Sequence, residues 1–177
     1  MSSSPYYPPP KFYFSVNILG TGTALAALTS IDSSFHDVSG IEVSYETEEV
    51  AEGGENRFVH RLPKQAKSPP LVLKRGVVTM DSVLGEWVGD TLNSNLTSSI
   101  VTQNLLVMLL GPDSIPLIAW AFSNAWPLKW KTDSLNSTEN EVLFETLEFS
   151  YNFFIRTTIA SPLSAGASLM KLENSLS

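Results

Sequence analysis

Two histidines, His36 and His60, are the only imidazoles in the 177 residues, and each has neighbours from which a catalytic arrangement could be drawn. His36 precedes Asp37, and His60 stands between Val59 and Arg61. A base imidazole, an orienting carboxylate and a serine are the parts of a hydrolase, but any serine-rich chain offers them. No nucleophile elbow, P-loop or zinc-ligand spacing accompanies them. Both imidazoles are therefore read as partly exposed strand residues or as partners of a local carboxylate. A second cluster is the acidic run Glu46, Glu48, Glu49, Glu52 and Glu55. Calcium loops need an Asp-x-Asp-x-Asp-Gly order closed by a bidentate Glu, and neither is present. These carboxylates read as the solvated face of a strand, unless several copies enclose a shared cavity in which the charges add. A third group, Trp120, Trp126 and Trp130, could stack on sugar rings. Strand spacing and apolar neighbours favour packing in a core or an interface instead. With no Cys, thiol catalysis, Cys-based zinc sites and disulfide scaffolds are excluded. No catalytic, cofactor or metal residue is assigned, and the chain is read as non-enzymatic.

The elements that would position these residues are mostly strands. Residues 1–11 are Ser, Tyr and Pro-rich, and Pro8 to Pro10 favour an extended arm without a ladder. Phe12 to Val16 reads as a first strand, followed by a loop over residues 17–34 around Gly20 and Gly22. Over residues 38–50 the period is two. Ile41, Val43, Tyr45 and Thr47 share one face, and Glu42, Ser44, Glu46 and Glu48 share the other. Gly53-Gly54 breaks the run and a strand resumes over residues 57–62, so residues 41–62 are expected to form a glycine-tipped hairpin. Pro63, Pro69 and Pro70 bound a loop, and residues 71–79 read as a strand.

One helix is expected over about residues 81–94. Asp81 is placed to cap it, and Val83, Leu84, Trp87, Val88 and Leu92 form its apolar stripe. Gly85 and Gly89 lie on an adjoining face, each costing about 1 kcal/mol relative to Ala, so something must pack closely there or the helix is weak. Strands over residues 103–110, 118–126 and 141–154 follow. In the middle one, bulky Ile118, Trp120 and Phe122 alternate with Ala119, Ala121 and Ser123, which predicts a strand covered on both sides. Residues 12–156 thus form one mainly β domain, a barrel or sandwich with a flanking helix. Residues 157–177, Ser, Ala and Leu without a strong period, are expected to be a flexible or partner-dependent tail.

Charge narrows the partners. Eighteen acids against 11 bases give a formal charge of -7, which argues against a nucleic-acid grip through a basic face. The longest apolar run, residues 105–110, is too short for a spanning helix, so no stable membrane insertion is expected. The sequons at Asn95 and Asn136 read as chance occurrences, since the N-terminus lacks a secretory signal pattern.

Residues 35–56, from Phe35-His36-Asp37-Val38-Ser39-Gly40-Ile41 through Glu52-Gly53-Gly54-Glu55-Asn56, carry greater specificity. They resemble the "VSGI…E…EGG.N" signature of the contractile phage tail tube family, and in particular the inner tube proteins of extracellular contractile injection systems. Leu71 to Thr79 resembles the family's "L.LKRGV" strand. Phe122 to Trp130 resembles its "F.NAWP.KW" segment, and Asn140 to Glu148 its "NEV..ETLE" strand. The blocks stand in family order over roughly residues 12–155. The loop after the hairpin departs from the pattern, with Pro63-Lys64 and Pro69-Pro70 where relatives often carry Pro-Gly and Pro-Asn-Leu.

The resemblance implies a tail-tube-like β-barrel or sandwich subunit. Six copies would form a ring, and rings would stack into a hollow tube that is driven through a target envelope and delivers a payload. Implied partners are the chain itself, sheath proteins, baseplate or hub proteins, a terminal cap and the luminal payload. Assembly in a bacterial cytoplasm, within a phage tail-like particle released or membrane-attached, is implied too. The Gly53-Gly54 tip is expected to reach a neighbouring subunit or ring, with Glu52, Glu55, Asn56 and Arg57 beside it and Lys74 and Arg75 as counter-charges. Glu42, Glu46 and Glu48 are expected on the channel face, where acidic groups repeated by symmetry would repel acidic cargo. The same face at a subunit interface is an equal alternative. Other readings are a contractile phage tail tube or type VI secretion tube protein and, from another class, a monomeric ligand-binding β-sandwich using the tryptophans. A hydrolase built on His60 is a further alternative.

Overall fold

Period-two alternation dominates the sequence, and strands dominate the structure. It is a computed structural model that describes residues 14–19, 35–51, 53–54, 57–77, 82–111, 115–135 and 142–159, together with Lys171 and Ser175. Nine strands and one helix are formed among these residues: β1 (Phe14–Leu19), β2 (Phe35–Ser39), β3 (Ser44–Val50), β4 (His60–Lys67), β5 (Leu71–Gly76), α1 (Val83–Asn93), β6 (Gln103–Leu110), β7 (Pro116–Thr132), β8 (Phe144–Ser150) and β9 (Phe153–Thr158). Seven strands make one sheet in the order β1-β6-β7-β8-β5-β2, with β9 paired to β7, and β3 pairs only with β4. The main sheet curls until its first and last strands, β1 and β2, come into contact. This is the mainly β fold with one flanking helix that the alternation predicts.

The long strand β7 makes the curl possible. Its first half pairs with β6 and β9 and its second half with β8. Between them the register with β6 shifts, and Asn124 takes a φ of 51° with its N–H bonded to the Asn104 carboxamide oxygen at 3.0 Å. An Asn tolerates this left-handed geometry better than a branched residue. The bulge changes the phase, so Phe122 and Ala125, three apart, both enter the main core. That core joins Val16, Leu71, Leu73, Leu105, Leu147 and Phe149 to Leu84 and Val88 of the helix. Ala119 and Ala121 point to the other face, with Leu106, Met108 and Ile159, and are equally buried. The strand is covered on both sides, as its bulky/small alternation predicts.

The helix is placed one residue later than expected at its start. Asp81 lies outside the described residues; the N-cap is Ser82, whose hydroxyl accepts from the Gly85 N–H at 3.2 Å. Trp87 stacks on Phe149 at 5.5 Å and donates its indole N–H to the Val101 carbonyl at 2.9 Å. The glycine face is where neighbours come close. A Cβ on Gly85 would stand 3.3 Å from the Arg75 guanidinium, and one on Gly89 3.6 Å from the Trp130 ring.

Three strand expectations are corrected. The run over residues 38–50 is two strands in different sheets, because Gly40 turns with φ 85° between β2 and β3. The expected loop beginning at Pro63 is instead the second half of β4, where Pro63 faces Thr47 across the ladder. The run over residues 141–154 breaks at Tyr151-Asn152, where the chain leaves β8 and returns as β9 beside the first half of β7. At the edges of the domain, Asn17 to Leu19 lie in β1 rather than a loop, and β9 carries the fold past residue 156 to Thr158.

Candidate assembly site

The ribbon of β3 and β4 stands apart from the rest of the chain. All seven residues of β3 and all eight of β4 are exposed, on both faces. A two-stranded ribbon with no covered face is marginal in water by itself. Val43, Tyr45, Phe58, Val59 and Leu62 are each about half exposed or more on and beside it, which concentrates apolar surface on an element that buries none of it within the subunit. The strands are held to each other by Glu49–Arg61 at 3.1 Å, Glu48–Lys64 at 3.6 Å and Glu46–Lys67 at 2.6 Å. Exposed pairs of this kind contribute roughly 0.2–1 kcal/mol each. They also neutralise the acidic face: of Glu42, Glu46 and Glu48, only Glu42 makes no ion pair among the described residues. At the tip, Gly54 has φ 100°, and a Cβ at Gly53 or Gly54 would meet nothing within 4 Å. Arg57 is exposed beside it, while Glu52, Glu55 and Asn56 lie outside the described residues.

The root of the ribbon is as closely fitted as its tip is open. A Cβ on Gly40 would stand 2.0 Å from the Pro70 carbonyl oxygen, so the two legs approach at a point only glycine can occupy. The Tyr151 hydroxyl donates to the Gly40 carbonyl at 3.3 Å. Burial raises the Tyr151 pKa, the Ser68 side-chain hydrogen bond opposes the rise, and the charge of Glu42 adds to it.

The two counter-charges assigned to the tip are engaged elsewhere. Lys74 lies 4.0 Å from Asp133 and 4.8 Å from the centre of the Phe144 ring. Arg75 is not on an outer face: it is 3% exposed and its Nε pairs with Glu145 Oε1 inside the protomer. Glu145 Oε2 accepts the Trp130 indole N–H at 2.8 Å, and Arg75 Nη1 donates to the Ser82 hydroxyl at 2.9 Å. The guanidinium also lies 5.8 Å from the Phe35 ring centre. This network ties β5, β7 and β8 to the start of the helix, and burying it is tolerable because the charges are paired and hydrogen-bonded. Sequence reasoning missed Glu145 and Ser82 as its members. The available signal is phase: Arg75 continues the buried set Leu71, Leu73, and Glu145 opens the buried set Leu147, Phe149, in strands that place the two directly opposite.

Of the two histidines, His60 meets the Phe58 ring edge-on at 5.0 Å, and His36 lies 5.2 Å from the Phe144 ring centre. Of the tryptophans, Trp120 and Trp126 are half-buried, while Trp130 is 43% exposed and donates its indole N–H to Glu145.

The profile of the family described as T4-like virus tail tube protein gp19 matches residues 10–155. The chain belongs to the T4-like tail tube protein family. Among solved structures, this tail tube protein is similar to a chain of the six-fold symmetrised anti-feeding prophage baseplate, with 27% identity, 88% of this chain and 99% of that one covered, and a TM-score of 0.68. A chain of the PVC extracellular contractile injection system, in its extended sheath–tube complex, shares the fold at 24% identity, 90% and 99% coverage and a TM-score of 0.70. A chain of the anti-feeding prophage cap shares it at 22% identity, 86% and 93% coverage and a TM-score of 0.68. Comparison with curated protein sequences gives no match. In the tail tube protein the resemblance-bearing blocks converge: Arg75, Trp130 and Glu145 come from three of them and meet in the buried network, while Gly40 of the fourth forms the root of the ribbon.

Proposed function

We infer that this tail tube protein is a non-catalytic structural subunit of a contractile injection system, and that the exposed ribbon of β3 and β4 is its means of assembly. The carrying observation is the ribbon itself, exposed on both faces and studded with apolar side chains. Such surface is costly to leave in water, and a second copy of the same chain is the partner always at hand. Rotational symmetry makes the contact head-to-tail, and closing a ring pairs the strand edges that a lone subunit leaves open. We propose six copies per ring, in keeping with the six-fold reconstruction that contains a relative at 27% identity. Stacked rings would form a hollow tube inside a sheath, with baseplate and cap proteins at its ends and a payload within. The particle would assemble in a bacterial cytoplasm and act by driving the tube through an envelope. No helix among the described residues is long and apolar enough to cross a membrane.

The tip residues Glu52 to Arg57 would contact the neighbouring copy. With Arg75 committed to Glu145, their counter-charges would come from other cations. The pairing of Glu46 and Glu48 with lysines weakens the case for a strongly acidic channel face and leaves Glu42 as its best member. Electron microscopy of the purified protein tests the assembly: rings or tubes with a central hole are expected, and a protein that stays monomeric at high concentration with the ribbon intact sinks the reading.

A further inference from the structure

At the root of the ribbon one side chain bonds to the leg that leads into β3. Gly40 precedes β3 and Pro70 follows β4. The Tyr151 hydroxyl donates to the carbonyl of the first at 3.3 Å, and the first packs directly against the second. The Tyr151 ring is fixed from below by Phe122, edge-on at 4.9 Å, and by Phe154 at 6.2 Å. Phe122 is a fully buried part of the main core. The ring alone would be served equally well by Phe; the hydroxyl is the part that reaches the leg.

The ion pairs of the ribbon cannot do this work. Glu49–Arg61, Glu48–Lys64 and Glu46–Lys67 all lie within it, as does the Ser44 hydroxyl bond to the Lys67 carbonyl at 3.5 Å. They join leg to leg and leave the direction of the pair relative to the barrel undetermined. The close approach of Gly40 to Pro70 fixes the legs to each other at the root, again within the ribbon's own base.

We propose that the Tyr151 hydroxyl is a positioning group: by pinning the Gly40 leg of the ribbon, and through it the Pro70 leg packed against it, to the aromatic floor of the barrel, it sets the direction in which the ribbon leaves the subunit. The role rests on the reading of the ribbon as the contact with a neighbouring copy. A strand pair aimed in advance loses less freedom on docking, and so docks more tightly, than one that swings.

The chain has no Cys, so nitroxide labels can be placed at Gly53→Cys on the tip and Lys131→Cys at the end of β7. Distances between them are measured by pulsed electron resonance below the concentration of assembly. Tyr151→Phe keeps the ring and its packing and removes the bond to Gly40. It is expected to broaden the tip distribution. The concentration needed to form tubes should rise roughly three- to tenfold, the equivalent of one neutral hydrogen bond. An unchanged tip distribution in Tyr151→Phe overturns the proposal. A broadened tip with unchanged assembly leaves the pin standing and overturns the reading of the ribbon as the contact. Replacing residues 51–58 by a short linker checks that reading directly, since it should abolish tubes while the barrel keeps its near-ultraviolet circular dichroism.

Discussion

At Gly40 a φ of 85° and the Pro70 carbonyl oxygen act on the same atom, since any Cβ would be both conformationally strained and 2.0 Å from that oxygen. Gly40→Ala should therefore lower stability by more than about 3 kcal/mol in urea unfolding, the sum of left-handed strain and a backbone that must move. Arg75 and Glu145 make a different case. Glu145→Gln leaves a buried guanidinium without its counter-charge and should cost roughly 3–5 kcal/mol. The pair Arg75→Met with Glu145→Leu should recover much of that loss, because neither charge then has to be desolvated. A double-mutant cycle by urea unfolding measures the recovery, and two additive losses would contradict the coupling. Tyr151 adds a pH dependence of defined sign. Its folded pKa is raised above the ordinary 10.0, mainly by burial. The folded state then holds the proton more tightly than the unfolded chain does. The stability it contributes is complete below about pH 10 and falls as pH rises through the folded value. Subtracting the same titration for Tyr151→Phe should remove that component of the alkaline decline.

At the scale of elements, the bulge in β7 has a test of its own. Asn124→Val puts a β-branched residue at φ 51° and should cost about 1–3 kcal/mol by thermal or urea unfolding, with Asn124→Gly far milder. The ribbon should respond in the opposite way. Leu62→Asp lies on a fully exposed strand and should shift unfolding by no more than about 0.5 kcal/mol, yet impair tube formation seen by electron microscopy. Elements of one uninterrupted period were legible before the structure. The helix announced itself by the stripe through Leu84, Val88 and Leu92, and the first half of β7 by bulky Ile118, Trp120 and Phe122 alternating with small residues. What stayed hidden were the places where a period runs through a change of partner. The alternation passes Gly40 and Tyr151 without a break, although the chain changes sheet at the first and partner segment at the second. A side-chain pattern records which face a residue takes, not which strand lies beside it.

The same limit explains the site at the scale of the whole molecule. The acidic alternation of β3 was visible, but its lysine and arginine partners arrive from β4, across a tip and at a register set by the turn. Arg75 reads as a counter-charge for the tip because it stands beside Lys74, yet its phase with Leu71 and Leu73 and the facing Glu145 turn it inward while Lys74 points out. The long strand β7 bears on a different property. Its seventeen residues form one unbroken backbone through both halves of the barrel. At about 3.3 Å per residue its contour runs to about 56 Å. Load applied at one end of such a subunit is carried along covalent bonds rather than across a seam between layers, where hydrogen bonds would have to shear. In a column of these subunits pushed from behind, the strand would act as a strut, and the bend at Asn124 is where it would first yield.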